Sequence, residues 1–208
     1  MAEEGEGESI KITLLGNPGV GKTCIISRFV EGTYNDNTNS TIGANYSQKS
    51  ITIKDKEVNL DIWDTAGQEK YHSLGKHFYK DSYIVCLVYD ITNQSSLDAL
   101  KTIWYPDLQK YGEQYTVLAV VGAKCDLYEN DNLANENEAK SFAQEIKAIF
   151  MLTSAKTGDG IDKLFTTLTD KYLGSEFCNK AKEQQRNRGA SFAVSEKNVE
   201  KPKKKKCC

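Results

Sequence analysis

"GNPGVGKT" occupies residues 16–23, directly after the apolar run "IKITLL" at 10–15. Glycine or proline fills four of its first six positions, so the stretch suits neither a helix interior nor a strand. It does suit an anion. Small residues let successive backbone N–H groups turn inward, and a helix beginning near Lys22 adds the positive end of its dipole. The spacing matches G-x-x-x-x-G-K-[ST] at Gly16, Gly21, Lys22 and Thr23. In that pattern the backbone cradles phosphates, the lysine reaches their outer oxygens and the hydroxyl meets Mg²⁺. Asn17, Pro18, Gly19, Val20, Gly21, Lys22, Thr23 and Cys24 are the expected cradle. Pro18 removes one N–H donor, which a loop this rich in donors tolerates.

The surrounding sequence sets this loop in an α/β frame. Strand-like runs recur at 10–16, 50–54, 58–64, 83–90, 116–122 and 149–154. Between them, apolar residues fall at helical spacing in 22–32, 95–112, 135–146 and 160–174, although Pro106 should kink or break the second of these helices. Alternating strands and helices indicate βαβ units and a mostly parallel sheet. The 50–54 and 58–64 runs are too close for a crossover, so they read as an antiparallel hairpin. The expectation is a six-stranded sheet with one antiparallel edge strand and helices on both faces. In such sheets ligands sit at the carboxyl ends of the strands, where the quoted loop lies.

The chain has 208 residues and 39% hydrophobic content, enough for one sizeable core. The start, "MAEEGEGES", has no apolar stretch of the secretory kind. Residues 1–8 read as a disordered acidic segment, 9–174 as the folded domain and 175–208 as a flexible tail. That tail holds ten Lys/Arg and four Glu, a net +6. The chain's formal total is −2, so residues 1–174 carry −8, which argues against a nucleic-acid binder. Of the six cysteines, Cys24, Cys86 and Cys125 read as small buried thiols.

Three further stretches, each ending a strand, narrow the chemistry. In "WDTAGQE" (63–69), Asp64 can hold Mg²⁺ through water, Gly67 offers an N–H to a γ-phosphate and Gln68 can orient an attacking water. In "GAKCDL" (122–127), the Lys124 stem can cover a base and Asp126 can accept from guanine N1–H and N2–H. In "TSAKTG" (153–158), the Ala155 N–H can meet guanine O6. Adenine lacks the N1 proton and offers a donor where guanine has O6, and hydrogen bonds to a charged group are worth about 1.5–3 kcal/mol each. Ser154 and Lys156 flank that contact, and Ala123 precedes Lys124 in the same base-reading set.

With these motifs in order, the chain resembles the Ras-like small GTPases, and within them the Rab family, nearest the early-endosomal group. The resemblance runs over roughly residues 9–174 and includes "STIGANY" (40–46), "LDIWDTAGQEKYHSLGKHFYK" (60–80), "LVYDIT" (87–92) and the terminal "CC". It implies a P-loop NTPase fold and a switch that binds GTP with Mg²⁺, hydrolyses it to GDP and recruits effectors in vesicle trafficking. Lys22, Gly67 and Gln68 would carry catalysis. Thr41 would join Thr23 on Mg²⁺, and Tyr34 would pack on the guanine. Switch segments would span about 34–46 and 65–80. Ile42, Tyr46, Trp63 and Phe78 would face effectors, with core packing the alternative for Trp63. No arginine is placed as an internal finger, so intrinsic hydrolysis should be slow, on the order of 10⁻⁴–10⁻³ s⁻¹.

The resemblance also implies partners: an exchange factor, an activating protein, a GDP-dissociation inhibitor and an escort protein. A monomer is expected. "KPKKKKCC" resembles the double-prenylation signal, with Cys207 and Cys208 as acceptors and the lysines drawn to an anionic leaflet. The chain would sit on the cytoplasmic face of an endosome or vesicle and cycle with the cytosol. Two positions depart from the family pattern: Pro18, at a cradle position where Ras proteins carry glycine and Rabs vary, and Ala123. Ala123 stands where an asparagine would touch guanine N7 and tie the base loop to the phosphate cradle. A non-cycling scaffold with a weakened base site is therefore the rival reading; an ATPase or kinase is disfavoured by Asp126.

Overall fold

The computed structural model describes residues 9–35, 41, 44–65, 81–112, 117–128 and 133–175. The chain divides into two units, Met1–Tyr172 and Leu173–Cys208, and the sheet belongs to the first. In order the elements are β1 (Ser9–Leu15), α1 (Lys22–Glu31), β2 (Ala44–Ile53), β3 (Lys56–Thr65) and β4 (Ile84–Asp90). There follow α2 (Gln94–Ala99), a π turn (Leu100–Trp104), α3 (Tyr105–Tyr111), β5 (Val117–Ala123) and a 3₁₀ turn (Cys125–Leu127). Then come α4 (Leu133–Glu145), β6 (Ile149–Thr153) and α5 (Ile161–Leu173).

The six strands form one sheet in the order β2-β3-β1-β4-β5-β6. β2 and β3 pair antiparallel, while every other neighbouring pair is parallel. The expected hairpin is present. Lys54 and Asp55 form its two-residue turn with φ of 48° and 63°, the left-handed geometry that matches the twist of the flanking strands. Because β1, β3, β4, β5 and β6 run the same way, their carboxyl ends share one edge of the sheet. Every motif loop leaves from that edge.

Two local features differ from the sequence reading. β2 is ten residues long and begins at Ala44, not at 50, so the end of the first switch segment lies within a strand. Its residues pair one by one with β3 from Ala44↔Thr65 to Ile53↔Lys56. As an edge strand it carries polar side chains on both faces over 45–50, which leaves no apolar alternation to read. Pro106 also does less than expected. The helical path continues past it, because the π turn lets the Tyr105 N–H reach Leu100 O and Pro106 falls in the first turn of α3, where a missing N–H costs little.

The sheet is covered on both faces. β4 is buried along its whole length, and alternation sends its side chains to opposite sides. Val85, Leu87 and Tyr89 join a core with Leu97, Leu100, Trp104 and Phe142 from the 94–145 helices. Ile84, Cys86 and Val88 point the other way, toward the side where Phe29 of α1 stacks on Phe165 of α5 at 3.8 Å between ring centroids. Of the described cysteines only Cys86 is fully buried, and burial pushes its thiol up to about 12. Cys24 and Cys125 are half-exposed, which corrects the expectation of three buried thiols; both line the edge where the motif loops gather. No described helix is long and apolar enough to cross a membrane.

Candidate functional site

The phosphate loop connects β1 to α1 and needs glycine at two points. At Gly16 (φ +148°) a Cβ would lie 2.1 Å from Val88 O, so only glycine lets β1 turn this close to β4. Gly21 caps α1 with φ 107°, a conformation that side chains rarely adopt. Lys22, 5% exposed, bends back over the loop. Its ammonium donates to Gly16 O at 2.7 Å and Asn17 O at 2.9 Å. Burial lowers its pKa to about 8, against the pull of the Asp64 charge. A phosphate anion in the cradle would add to the countercharge that Asp64 gives this buried cation.

Three oxygens meet beside that lysine. The Thr23 hydroxyl donates to Asp64 Oδ2 at 2.6 Å, the Thr41 hydroxyl reaches the same oxygen at 3.2 Å, and the two hydroxyls are 2.9 Å apart. Asp64 is 3% exposed. Burial raises its pKa, while the Thr23 bond, the Lys22 charge and the Thr41 bond work in the opposite direction. Its second oxygen, Oδ1, is buried and makes no hydrogen bond among the described residues. An orphaned carboxylate oxygen with two hydroxyls alongside is a hard-oxygen set of the kind Mg²⁺ takes together with phosphates and waters. The residues present therefore fit the ion.

The loops after β5 and β6, expected to read a base, also come together. One cavity is lined by Tyr34, Ala123, Lys124, Asp126, Ala155 and Lys156 along with Gly21, Cys24, Ile25 and Leu127. Ser154, fully buried, stands behind it and donates from Oγ to Asp126 Oδ1 at 2.6 Å, which fixes the carboxylate while leaving its other oxygen to a ligand. Lys124 takes a left-handed backbone (φ 65°). Such strain in a non-glycine residue is typical of functional loops. Ala123, 2% exposed, lies 3.7 Å from where a Cβ on Gly21 would sit. A methyl group is thus all that this position offers the phosphate loop.

Sequence reasoning missed two supports. Arg28, on α1, donates to Ala155 O at 2.5 Å and Lys156 O at 2.8 Å, so it holds the loop after β6 in place. Nothing local in "ISRFVE" points to that contact, which spans 127 residues. Asp90, at the end of β4, pairs with Lys124 Nζ at 2.6 Å. Its signal was present in "LVYDIT", as a charge ending an otherwise apolar strand.

A second surface lies on the β2–β3 hairpin. Tyr46, 52% exposed, meets Trp63 edge-on at 5.4 Å between ring centroids and donates from its hydroxyl to Asp61 at 2.7 Å. Lys11 Nζ lies 5.2 Å from the Trp63 ring centre. Trp63 is half-buried and belongs to this surface. Ile42, Gly67, Gln68, Phe78, Cys207 and Cys208 lie outside the described residues.

Comparison with known proteins agrees with this geometry. The model of the Ras family matches residues 11–174. The Ras-related protein Rab5A of Oryza sativa subsp. japonica is 40% identical over 163 residues, which cover 78% of this chain and 79% of that protein. The probable Ras-related protein Rab-4A of Echinococcus multilocularis is 41% identical over 157 residues, covering 76% and 70% respectively. The Ras-related protein Rab-22A of Homo sapiens is 39% identical over 160 residues, covering 77% and 81%. With the glycine-rich loop, the buried lysine and the loops after β5 and β6 gathered on one sheet edge, the chain belongs to the Ras family and, within it, is a Rab-type small GTPase of vesicle trafficking, a switch that binds and hydrolyses GTP.

Proposed function

We propose that the chain runs its switch through a Mg²⁺–GTP complex held by Lys22, Thr23, Thr41 and Asp64. The observation that carries this is the convergence of both hydroxyls on Asp64 beside a buried lysine. Bound Mg²⁺ would neutralise charge on the β- and γ-phosphates. Thr23 and Thr41 would turn their hydroxyl oxygens to the ion, and Asp64 would hold its waters. Lys22 would trade its two loop carbonyls for phosphate oxygens as charge builds on them. Gly67 would donate to the γ-phosphate and Gln68 would orient the water. With the γ-phosphate gone, Thr41 and Gly67 lose their partner and both switch segments relax.

In the base pocket, Asp126 would read guanine N1–H and N2–H, the Ala155 N–H would meet O6, and Lys124 and Tyr34 would cover the ring. The exposed Tyr46 and the adjacent Trp63, with Ile42 and Phe78, would form the surface that effectors read in the GTP state. An exchange factor, an activating protein, a GDP-dissociation inhibitor and an escort protein would govern the cycle. Residues 9–174 would act as the switch and 175–208 as the tether, with prenyl groups on Cys207 and Cys208 and the lysine run against an endosomal leaflet. The rival reading of a non-cycling scaffold finds no support in this geometry, since both hydroxyls and the acidic partner of an Mg²⁺ site are present.

The test is the Mg²⁺ dependence of release of a fluorescent guanine nucleotide. Chelating Mg²⁺ should speed release from the native chain by at least about tenfold, the scale of losing more than about 1.4 kcal/mol. Asp64→Asn should blunt that response. Release from the native chain that ignores the chelator would overturn the ion site.

A further inference from the structure

Trp104 ends the π turn between α2 and α3, and it sits deep in the core. It is 5% exposed and shares a cluster with Leu15 and Tyr89. A buried indole N–H needs a hydrogen-bond acceptor. Trp104 Nε1 donates to the side-chain oxygen of Asn17 at 2.9 Å, across 87 residues of sequence. Asn17 is therefore held at two points. Its side chain accepts from the helix, and its backbone carbonyl accepts from Lys22 Nζ.

The π turn belongs to the same arrangement. An isolated π turn inside an α-helix often marks a functional position, and this one ends on the residue that reaches the phosphate loop. On the β5 side, by contrast, Gly21 faces only the Ala123 methyl. The side chain at the start of the loop is thus tied to the helix, through the Trp104–Asn17 bond.

We propose that Trp104 is a positioning residue for the phosphate loop, acting through Asn17 to keep the loop in its phosphate-binding shape and so to slow nucleotide release. It never touches the nucleotide. Its N–H restrains the carbonyl end of Asn17, and that restraint keeps the loop's N–H groups aimed inward. The inference rests on the guanine-nucleotide site described above.

Full-length protein loaded with fluorescent GDP in Mg²⁺ buffer tests it. Trp104→Phe keeps the apolar ring and removes the donor; Asn17→Ala removes the acceptor at a half-buried loop position, so it serves even if the core variant folds poorly. Each should raise the dissociation rate about three- to tenfold, the effect of one lost hydrogen bond. The double variant should release no faster than the faster single variant, because one bond cannot be lost twice. In ¹⁵N spectra, Asn17→Ala should also shift the Trp104 indole resonance and speed its exchange with solvent. An Asn17→Ala rate less than about twofold above native, or single effects that multiply in the double variant, would overturn the proposal. A native chain that takes up no guanine nucleotide would instead refute the site itself.

Discussion

Ser154 Oγ donates to Asp126 Oδ1 over 2.6 Å, and that bond ties the loop after β6 to the loop after β5. The serine is fully buried and the aspartate exposed, so the bond turns a surface carboxylate into a fixed acceptor pair. Ser154→Ala should leave the fold intact and cost nucleotide affinity by about 1.5–3 kcal/mol, or roughly 10–150-fold, as loss of a bond to a charged group does. The measurement is the dissociation rate of fluorescent GDP. An unchanged rate would mean that Asp126 needs no support.

Ala123 leads to a prediction in the opposite direction. Its methyl can neither bond the base nor bridge to the phosphate loop, so Ala123→Asn should slow nucleotide release. Two regained hydrogen bonds are worth roughly 1–3 kcal/mol together, and affinity differences at one site appear mainly in the off-rate. If release slows by less than a few-fold in the presence of Mg²⁺, another group already does the asparagine's work; the Asn17–Trp104 bond would be the first to examine.

Asp90 should mark the acid limit of stability. Burial pushes its pKa up, but the hydrogen bonds from Lys124 and Thr92 outweigh burial and hold it below the usual 3.8. Its contribution is present in full above the unfolded-state value of about 3.9 and disappears as the pH falls through the lower native value. Asp90→Asn should therefore lower stability at neutral pH by about 1 kcal/mol, near the low end because the Lys124 side chain is 36% exposed. It should also flatten the loss of stability below about pH 4. Thermal unfolding of both proteins across that range would show it; parallel pH profiles would contradict the assignment.

Gln68 lies outside the described residues, and its role follows from the water-orienting position in "WDTAGQE". Gln68→Leu should bind GTP as the native chain does and lose most hydrolysis stimulated by an activating protein, by about 10²-fold or more. Stimulated turnover at the native rate would remove Gln68 from the mechanism.

The parts of the fold that could be read in advance are those where a local pattern has a single physical solution. The glycine spacing of residues 16–21 requires a tight turn between β1 and α1, and the nearly all-apolar run of β4 requires burial on both faces. That the residues expected to read a base would share one cavity was legible for the same reason, since each of their motifs ends a strand and parallel strands bring their ends to one edge. What could not be read depends on long-range contacts. Arg28 reaches across 127 residues and Trp104 across 87, and no local pattern announces either. β2 escaped notice at its start because an edge strand with polar faces has no apolar period. Pro106 was over-read, because the π turn before it supplies a compensation that no sequence rule anticipates.

The most direct test of the central claim is the nucleotide that the purified protein carries, identified by chromatography after denaturation and followed after loading with GTP and Mg²⁺. The account predicts close to one guanine nucleotide per chain, released by chelating Mg²⁺, with loaded GTP turning over slowly to GDP. Adenine nucleotide, an empty site that GTP does not fill, or GTP that stays intact indefinitely would contradict it.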